Sequence, residues 1–390
     1  MKEPKIRFKG FRGEWETKNI ASVASLKAGV SIDTSQEISY QIQGYYPCYG
    51  GNGLRGYVRD YTHDGIYNII GRQGALCGNV RIVTGKFHAT EHAVVVTPIK
   101  KLNPYFLFNV LTKANINQYA TGVAQPGLSV QNVNKRLYIH IPNFDEQQSI
   151  ASYFQHLDSL IQSTTKKIES LKQVKAASLQ SMFPQERETT PRVRFKGFEG
   201  EWNTPSISEV FELRNGYTPS KAVEAFWEGG TIPWFRMEDI RENGGILNDA
   251  IQHISPLGIK GKGVFEKNSI ILSTTATIGV HAMLIADSLA NQQFTNFSIR
   301  KSLKHTFDPM FVYYSFFGID EWSKKNTNSG GLLSVNIPLL LKQPFLTPSI
   351  YEQQKIASYF TTLDRQITLH TQRLEKLKQI KAACLDNMFV

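Results

Sequence analysis

The chain has 390 residues, 41% of them hydrophobic and 20% charged, with a net charge of +11 and a pI near 9.3. That length suits two or three domains rather than one core, and no apolar run is long enough to span a bilayer. The opening MKEPKIRFKG lacks the apolar stretch of a signal peptide. Cys48, Cys77 and Cys384 stand far apart, with no paired spacing or histidine cluster, which argues against a disulfide framework or a zinc site and for a reducing cytoplasm.

In chain order, the first feature is Ile6–Trp15, IRFKGFRGEW, which returns as Val193–Trp202, VRFKGFEGEW. Neither copy follows a strand, so both read as packing turns anchored by residues such as Phe8, Phe11 and Trp15, not as cofactor glycine loops. Residues 1–143 then form a first variable region, rich in Gly, Tyr and Phe, with β-prone runs at Tyr67–Ile70, Ala93–Thr97 and Leu137–Ile141. This region carries 17 Lys/Arg against 8 Asp/Glu. The excess basic charge, the footprint of a polyanion partner, is therefore concentrated here.

Glu146–Phe183 reads as one long helix, and Glu352–Phe389 repeats it. Apolar residues fall at Ile150, Phe154, Leu157, Ile161, Ile168, Leu171 and Val174, and again at Ile356, Phe360, Leu363, Ile367, Leu374, Leu377 and Ile380. The alternating spacing of four and three predicts a coiled-coil seam. Thr164 and His370 take its polar slot, and Cys384 reads as a small apolar filler. Asp145 and Ser349 are expected N-caps, with Pro184 as a stop. Two such seams in one chain are expected to bury each other antiparallel; pairing of each with a second copy of the chain is the alternative.

Between the helices lies a second variable region, 185–348, with 17 Lys/Arg against 17 Asp/Glu and strand-like runs at Ser269–Leu272 and Phe294–Ile299. Both regions hold a Pro-led aromatic segment, Asn103-Pro104-Tyr105-Phe106 and Asp308-Pro309-Met310-Phe311. The first is close to a methyltransferase loop but lacks its second proline. Asn or Asp before Pro is the chemistry of a helix start. No phosphate-binding loop, nuclease carboxylate cluster or zinc-protease motif is present. The internal repeat predicts an α+β chain with pseudo-twofold repetition: two mixed α/β variable domains at 1–143 and 185–348, a central helix at 144–184 and a C-terminal helix at 349–390.

These features together resemble the specificity subunit of type I restriction–modification systems. The resemblance rests on the EQQ-x-IASYF helix start, the LKQ-x-KAA helix body and the Gly-Leu-Ser loop before the first helix. It also rests on Gly216-Tyr217-Thr218-Pro219-Ser220, Ile232-Pro233-Trp234 and Asn291-Gln292-Gln293-Phe294. The first region departs from it, with Glu91-His92-Ala93 in place of the last string. The resemblance implies a non-catalytic DNA-binding subunit that reads a bipartite, asymmetric double-stranded site, one half per recognition domain, with the paired helices as a ruler. It implies docking of two modification subunits that carry S-adenosylmethionine, and through them restriction/motor subunits that use ATP and Mg. No cofactor is then bound by this chain. The contrasting readings are a self-sufficient DNA methyltransferase or nuclease, and a coiled-coil scaffold without nucleic acid.

Base edges are read by Arg or Lys at guanine and by Asn or Gln at adenine, from loops where backbone can approach. The candidates are Tyr49, Asn52, Arg55, Arg72, Gln73 and Gln125 in the first region, and Arg236, Lys260, Lys262, Thr274, Thr275 and Asn328 in the second. Tyr45 and Tyr46 are further stacking candidates.

Overall fold

The computed structural model describes residues 3–74, 76–99, 101–122, 127–328 and 333–390. The chain divides into two compact units, Met1–Lys167 with His370–Val390, and Ile168–Leu369.

Unit 1 contains β1 (Glu16–Asn19), β2 (Ala24–Ala28), β3 (Tyr46–Gly50), β4 (Gly53–Val58), β5 (His63–Gly71), β6 (Val80–Ala89) and β7 (Ala93–Pro98). Then follow α1 (Pro104–Lys113), β8 (Ala120–Thr121), β9 (Gly127–Leu128), α2 (Val130–Arg136), β10 (Tyr138–Ile141) and the start of α3 (Phe144–Ser181). Six strands form one sheet in the order β2-β7-β5-β6-β3-β4, antiparallel except for β3 beside β6. The Val94–Val96 run is buried on both faces because Val94 and Val96 pack into the cluster with Trp15 and Phe106 while Val95 packs with Ile69 and Phe87 on the other side. The β-prone runs foreseen in the sequence are three of these strands. The Gly- and Tyr-rich β3 and β4 were not foreseen: glycine dilutes the alternation that marks a strand.

Unit 2 takes in the rest of α3, then α4 (Ile207–Val210), β11 (Phe211–Asn215), β12 (Ile232–Phe235), α5 (Met237–Asn243), β13 (Ile246–Leu247), β14 (His253–Ile254), β15 (Ser269–Ser273), β16 (His281–Leu284), β17 (Leu289–Ala290) and β18 (Phe294–Ile299). It continues through α6 (Pro309–Lys325), β19 (Thr327–Asn328), β20 (Ser334–Val335), α7 (Ile337–Leu341) and into α8 (Ile350–Asn387). Its main sheet runs β11-β18-β15-β16-β13, and β12 pairs with β14 and β17. The order β11-β18-β15-β16 repeats β2-β7-β5-β6 of unit 1. The parallel pairing of Phe235 with Ala290 likewise repeats that of Tyr49 with Ala89. Two regions that align poorly in sequence therefore share one topology.

Within each unit a segment of α3 packs antiparallel on a segment of α8. In unit 1 the Tyr153 hydroxyl meets Cys384 Sγ at 3.4 Å and Lys381 Nζ donates to Asp158. In unit 2 the equivalent residues repeat this, with Tyr359 meeting Ser178 at 2.9 Å and Lys175 Nζ donating to Asp364 at 2.6 and 2.9 Å. Of the seam positions, Ile150, Phe154, Leu157, Ile168, Leu171, Ile356, Phe360 and Leu363 are buried, while Ile161, Ile367, Leu374 and Leu377 are half-buried. Val174 and Ile380 depart from the expected seam and are 42% and 37% exposed. The neighbouring lysines, Lys175 and Lys381, take the inward place to reach the carboxylates, which rotates the two β-branched residues to the flank.

The recurring EQQ string has a specific task in each unit. Glu146, with its side chain 1% exposed, accepts two hydrogen bonds from Arg7 at 2.7 and 2.8 Å; Glu352, equally buried, accepts two from Arg194 at 2.7 Å each. The same guanidiniums donate to Gly13 O and Gly200 O, in turns whose glycines stand at φ +86° and +79°. The RFKGF-x-GEW segment is thus a hook folded around one arginine, and left-handed backbone is why it needs glycine. The next residue, Gln147, accepts from Asn103 N and donates to Pro142 O; Gln353 accepts from Asp308 N and donates to Pro348 O. Asn103 and Asp308 cap α1 and α6 through their side chains, as the helix-start reading required. Ser349 caps α8, with its hydroxyl 3.4 Å from Glu352 N. For α3 the expectation was Asp145, yet the cap is Asn143, whose Oδ1 accepts from Glu146 N. The helix starts one residue before Asp145, which leaves that carboxylate inside the first turn.

Arg194→Ala is expected to cost about 3 kcal/mol, because it strands a buried carboxylate without its cation. Urea denaturation of the variant beside the wild type measures this, and Arg7→Ala is expected to behave alike.

Candidate nucleic-acid interface

One chain turn organises the candidate residues of each unit. In unit 1 it is Thr90–Ala93, between β6 and β7. Thr90 N donates to Tyr49 O at 2.9 Å, Ala93 N to Thr90 O at 2.9 Å, and Arg72 N to His92 O at 2.9 Å. Leu128 N donates to Arg72 O at 2.7 Å, Gly29 N to Ala93 O at 2.9 Å, and Val30 N to Ala89 O at 2.8 Å. Unit 2 builds the same frame around Asn291–Phe294, between β17 and β18. There Asn291 N donates to Phe235 O at 3.0 Å, Phe294 N to Asn291 O at 3.1 Å, and Thr274 N to Gln293 O at 2.9 Å. Val335 N donates to Thr274 O at 2.9 Å, Gly216 N to Phe294 O at 2.8 Å, and Tyr217 N to Ala290 O at 2.9 Å. The bridges Gln73–Gly127 and Thr275–Ser334 complete the match.

Glycine is obligatory where the first strand of each frame meets the turn. A Cβ on Gly29 would lie 2.1 Å from Ala89 O, and one on Gly216 would lie 2.2 Å from Asn291 O. By this backbone correspondence Arg72 stands where Thr274 does, and Gln73 where Thr275 does.

Most of the unit 1 candidates meet at this frame. The β3–β4 connection brings Gly51 against Gln73 O and His92 O, and Asn52 Oδ1 lies close to Gly74. Arg55 crosses Gly50 and pairs with Glu37 at 2.7 Å, while Arg72 Nη1 donates to Glu91 O. Asn52, Arg55 and Gln73 are exposed and Arg72 is half-buried. Tyr49 is half-buried against the Phe87 ring; burial lifts its phenol above the usual value, and the Arg81 guanidinium opposes that shift. Arg81, exposed on β6 against Gly53, belongs to the cluster, and nothing in its local sequence singled it out. Gln125 lies outside the described residues. Tyr45 receives the Arg59 guanidinium over its ring at 5.7 Å, and Lys86 Nζ lies over the Tyr46 and Tyr61 rings at 5.8 and 4.6 Å.

In unit 2, Arg236 follows the carbonyl that receives Asn291, pairs with Glu238 at 2.8 Å and stacks toward Trp234. Tyr217 ties in the Lys260–Lys262 loop, its hydroxyl accepting from Lys260 N at 2.7 Å while both lysines are exposed. Thr275 and Asn328 flank Ser334 on either side. Thr274 differs from an outward contact: it is 7% exposed, and its hydroxyl is 3.1 Å from that of Thr295. The candidate set also omitted Gln292 and Gln293, at the crest of the turn, although the Asn-Gln-Gln-Phe string was visible.

Among the described residues no group of three or more His, Cys, Asp or Glu side chains could hold a metal ion, and no helix is long and apolar enough to cross a membrane. What each site offers is a set of hydrogen-bonding side chains, with added cations, on a rigid backbone frame.

The family described as the type I restriction modification DNA specificity domain matches the chain twice, at residues 12–173 and 199–379. The chain is 48% identical over 152 residues to the EcoprrI type I restriction enzyme specificity subunit of Escherichia coli, covering 39% of this chain and 37% of that protein. It is 30% identical over 125 residues to a putative type I restriction enzyme specificity subunit of Haemophilus influenzae, covering 31% and 32%. The chain thus spans about a third of the length of these two curated relatives. Its fold is similar to that of the type I restriction–modification S subunit from M. genitalium, with a TM-score of 0.67 at 17% identity over 100% of this chain and 99% of that one.

Cys48, fully buried on β3 beside Tyr49, has its thiol pushed up from 9.0 to about 11, chiefly by burial. Its raised value means that the thiol favours the fold below pH 9 and loses that contribution as pH rises through 11. At pH 8 the buried thiol is therefore held in its neutral, unreactive form. Cys48 is therefore expected to stay silent toward a maleimide at pH 7–9 in the folded chain and to react once urea unfolds it, as peptide mass spectrometry would show.

Proposed function

The chain belongs to the type I restriction–modification DNA specificity family, and we propose that it reads a bipartite, asymmetric double-stranded DNA site, one half-site per unit. The observation that carries this reading is the frame built twice from the same backbone hydrogen bonds and filled with different side chains. Identical scaffolding with unlike polar crests is what two readers of unlike sequence need. We assign the reading role to Tyr49, Asn52, Arg55, Arg72, Gln73 and Gln125, and to Arg236, Lys260, Lys262, Thr275 and Asn328. Thr274, buried, supports the frame from below. The recognition domains are assigned to 1–143 and 185–348, joined through the helical segments 144–184 and 349–390.

The chain is not itself an enzyme on this reading. Methyl transfer falls to two modification subunits that hold S-adenosylmethionine, and cleavage to restriction subunits that use ATP and Mg, all in the cytoplasm. The helices support the partner assignment. Glu169, Lys172, Gln173, Ala176 and Ala177 are exposed, and the same five residue types are exposed at Glu375, Lys378, Gln379, Ala382 and Ala383. Nearer the middle of the repeat the exposed residues differ, as at Ser159 and Arg365 or Ser163 and Leu369. Packing inside the chain does not require an exposed face to match. Two copies of one partner, seated on two copies of one surface, do.

The decisive experiment is methylome sequencing of cells that express the chain with its modification subunit. A two-part motif methylated on both strands is expected; methylation by the purified chain with S-adenosylmethionine alone would replace this reading with a self-sufficient methyltransferase. Exchanging residues 1–143 for those of another family member is expected to change one half-site only. Affinity of the assembled complex is expected to fall linearly in log–log form with salt. Roughly a thousandfold loss between 50 and 200 mM corresponds to about six phosphate contacts.

A further inference from the structure

The two turns carry different chemistry at their crests. Glu91 Oε1 lies 3.1 Å from His92 Nε2, while Glu91 Oε2 is buried and has no hydrogen-bond partner. The Arg72 guanidinium stands beside it, held by the Glu91 carbonyl at 3.3 Å. An unpartnered carboxylate oxygen next to an arginine is complementary to a G·C pair: the carboxylate accepts from the cytosine amino group and the guanidinium donates to guanine O6 and N7. The Glu91 side chain is 37% exposed at the crest of the turn, so a turn of its carboxylate brings the unfilled acceptor to a base edge outside the chain.

In unit 2 neither charge is present at the equivalent positions. Gln292 replaces Glu91 and Thr274 replaces Arg72. Gln292 is exposed, and its Oε1 accepts from the Thr218 hydroxyl at 2.5 Å, which fixes the side chain and leaves its amide nitrogen to donate outward. Asn291 and Gln293 are tied to each other, Gln293 N donating to Asn291 Oδ1 at 3.0 Å. The amide oxygen keeps a second lone pair, so the positioned glutamine can accept from adenine N6 while its nitrogen donates to N7. A second orphan, the buried Arg236 Nε, lies beside this turn.

We propose that the Thr90–Ala93 and Asn291–Phe294 turns determine specificity, with Glu91 and Arg72 reading a G·C pair in one half-site and Gln292 an A·T pair in the other. The assignment rests on the DNA-reading function proposed above. It goes further by naming the element that discriminates and the base pair each crest selects.

The test uses the whole chain, co-expressed with its modification subunit, and compares methylomes of wild type, Glu91→Ala, Gln292→Ala and Thr218→Val. Glu91→Ala is expected to relax one G·C position by roughly 5- to 150-fold in preference, leaving the other half-site strict. Gln292→Ala is expected to relax one A·T position in the opposite half-site. Thr218→Val, which frees the glutamine without deleting it, is expected to relax that same position more weakly. The unchanged half-site in each variant reports that the chain still folds and assembles. The proposal is overturned if both alanine variants keep every position of the wild-type motif strict, or if both relax the same half-site. It is also overturned if a variant complex assembles yet methylates nothing, since loss of one base contact loosens specificity without abolishing binding. Absence of a two-part motif in the wild type would instead sink the DNA-reading function itself.

Discussion

Two carboxylates, Glu146 and Glu352, are withdrawn almost wholly from water, and everything else in their units is referenced to them. A buried anion is tolerable only with a cation and enough hydrogen bonds to match. Each glutamate finds both in one planar guanidinium gripped along two parallel bonds. That fork brings the opening hook of the unit onto the first turn of its helix. One residue on, a buried glutamine satisfies the backbone at the start of a Pro-led helix, which is packed in turn against the sheet. Two adjacent residues thereby fix a helix, a hook and a globular part to one another. The sheet and its loops are then free to change in sequence, because their placement is set elsewhere.

Such an arrangement explains which parts of the chain were legible from sequence. The long helices announce themselves through period and duplication, and the helix starts at Asn103 and Asp308 through the chemistry of Pro at the first position. The Val94–Val96 and Ile270–Leu272 runs declare central strands because burial on both faces demands continuous apolar residues. The β3–β4 hairpin stayed hidden because YPCYG and GLRGYV carry no period. Val174 was misplaced because a heptad count ignores a lysine that reaches inward for an acid. The sequence places Glu91-His92-Ala93 opposite Asn291-Gln292-Gln293-Phe294, but the hydrogen-bonded frame that these two turns share was hidden for a deeper reason. It is made of main-chain donors and acceptors, which every residue type possesses, so side-chain comparison cannot register it. The glycines at 29 and 216, pressed against carbonyls, are the side-chain positions that the frame itself dictates.

The charge imbalance also has a local meaning. The first variable region holds a surplus of basic residues and the second holds none, yet the frames are alike. Around the first frame Arg55, Arg72 and Arg81 gather within reach of Glu37 and Glu91. Around the second, neutral amides and hydroxyls take the crest, and the cations sit beside it on Arg236, Lys260 and Lys262. The same frame thus carries charged or neutral side chains without a change of architecture.

The first compact unit is assembled from residues at opposite ends of the polypeptide: Met388 and Phe389 complete the apolar cluster that holds Trp15, Phe106 and Phe154. The second is drawn from one uninterrupted stretch, Ile168–Leu369. During synthesis on the ribosome the later-encoded unit therefore has all its parts first, while the earlier one waits, with its core open, for Phe389 to emerge. The order of maturation runs opposite to the order of translation, and the interval between them is when this chain most needs protection from aggregation.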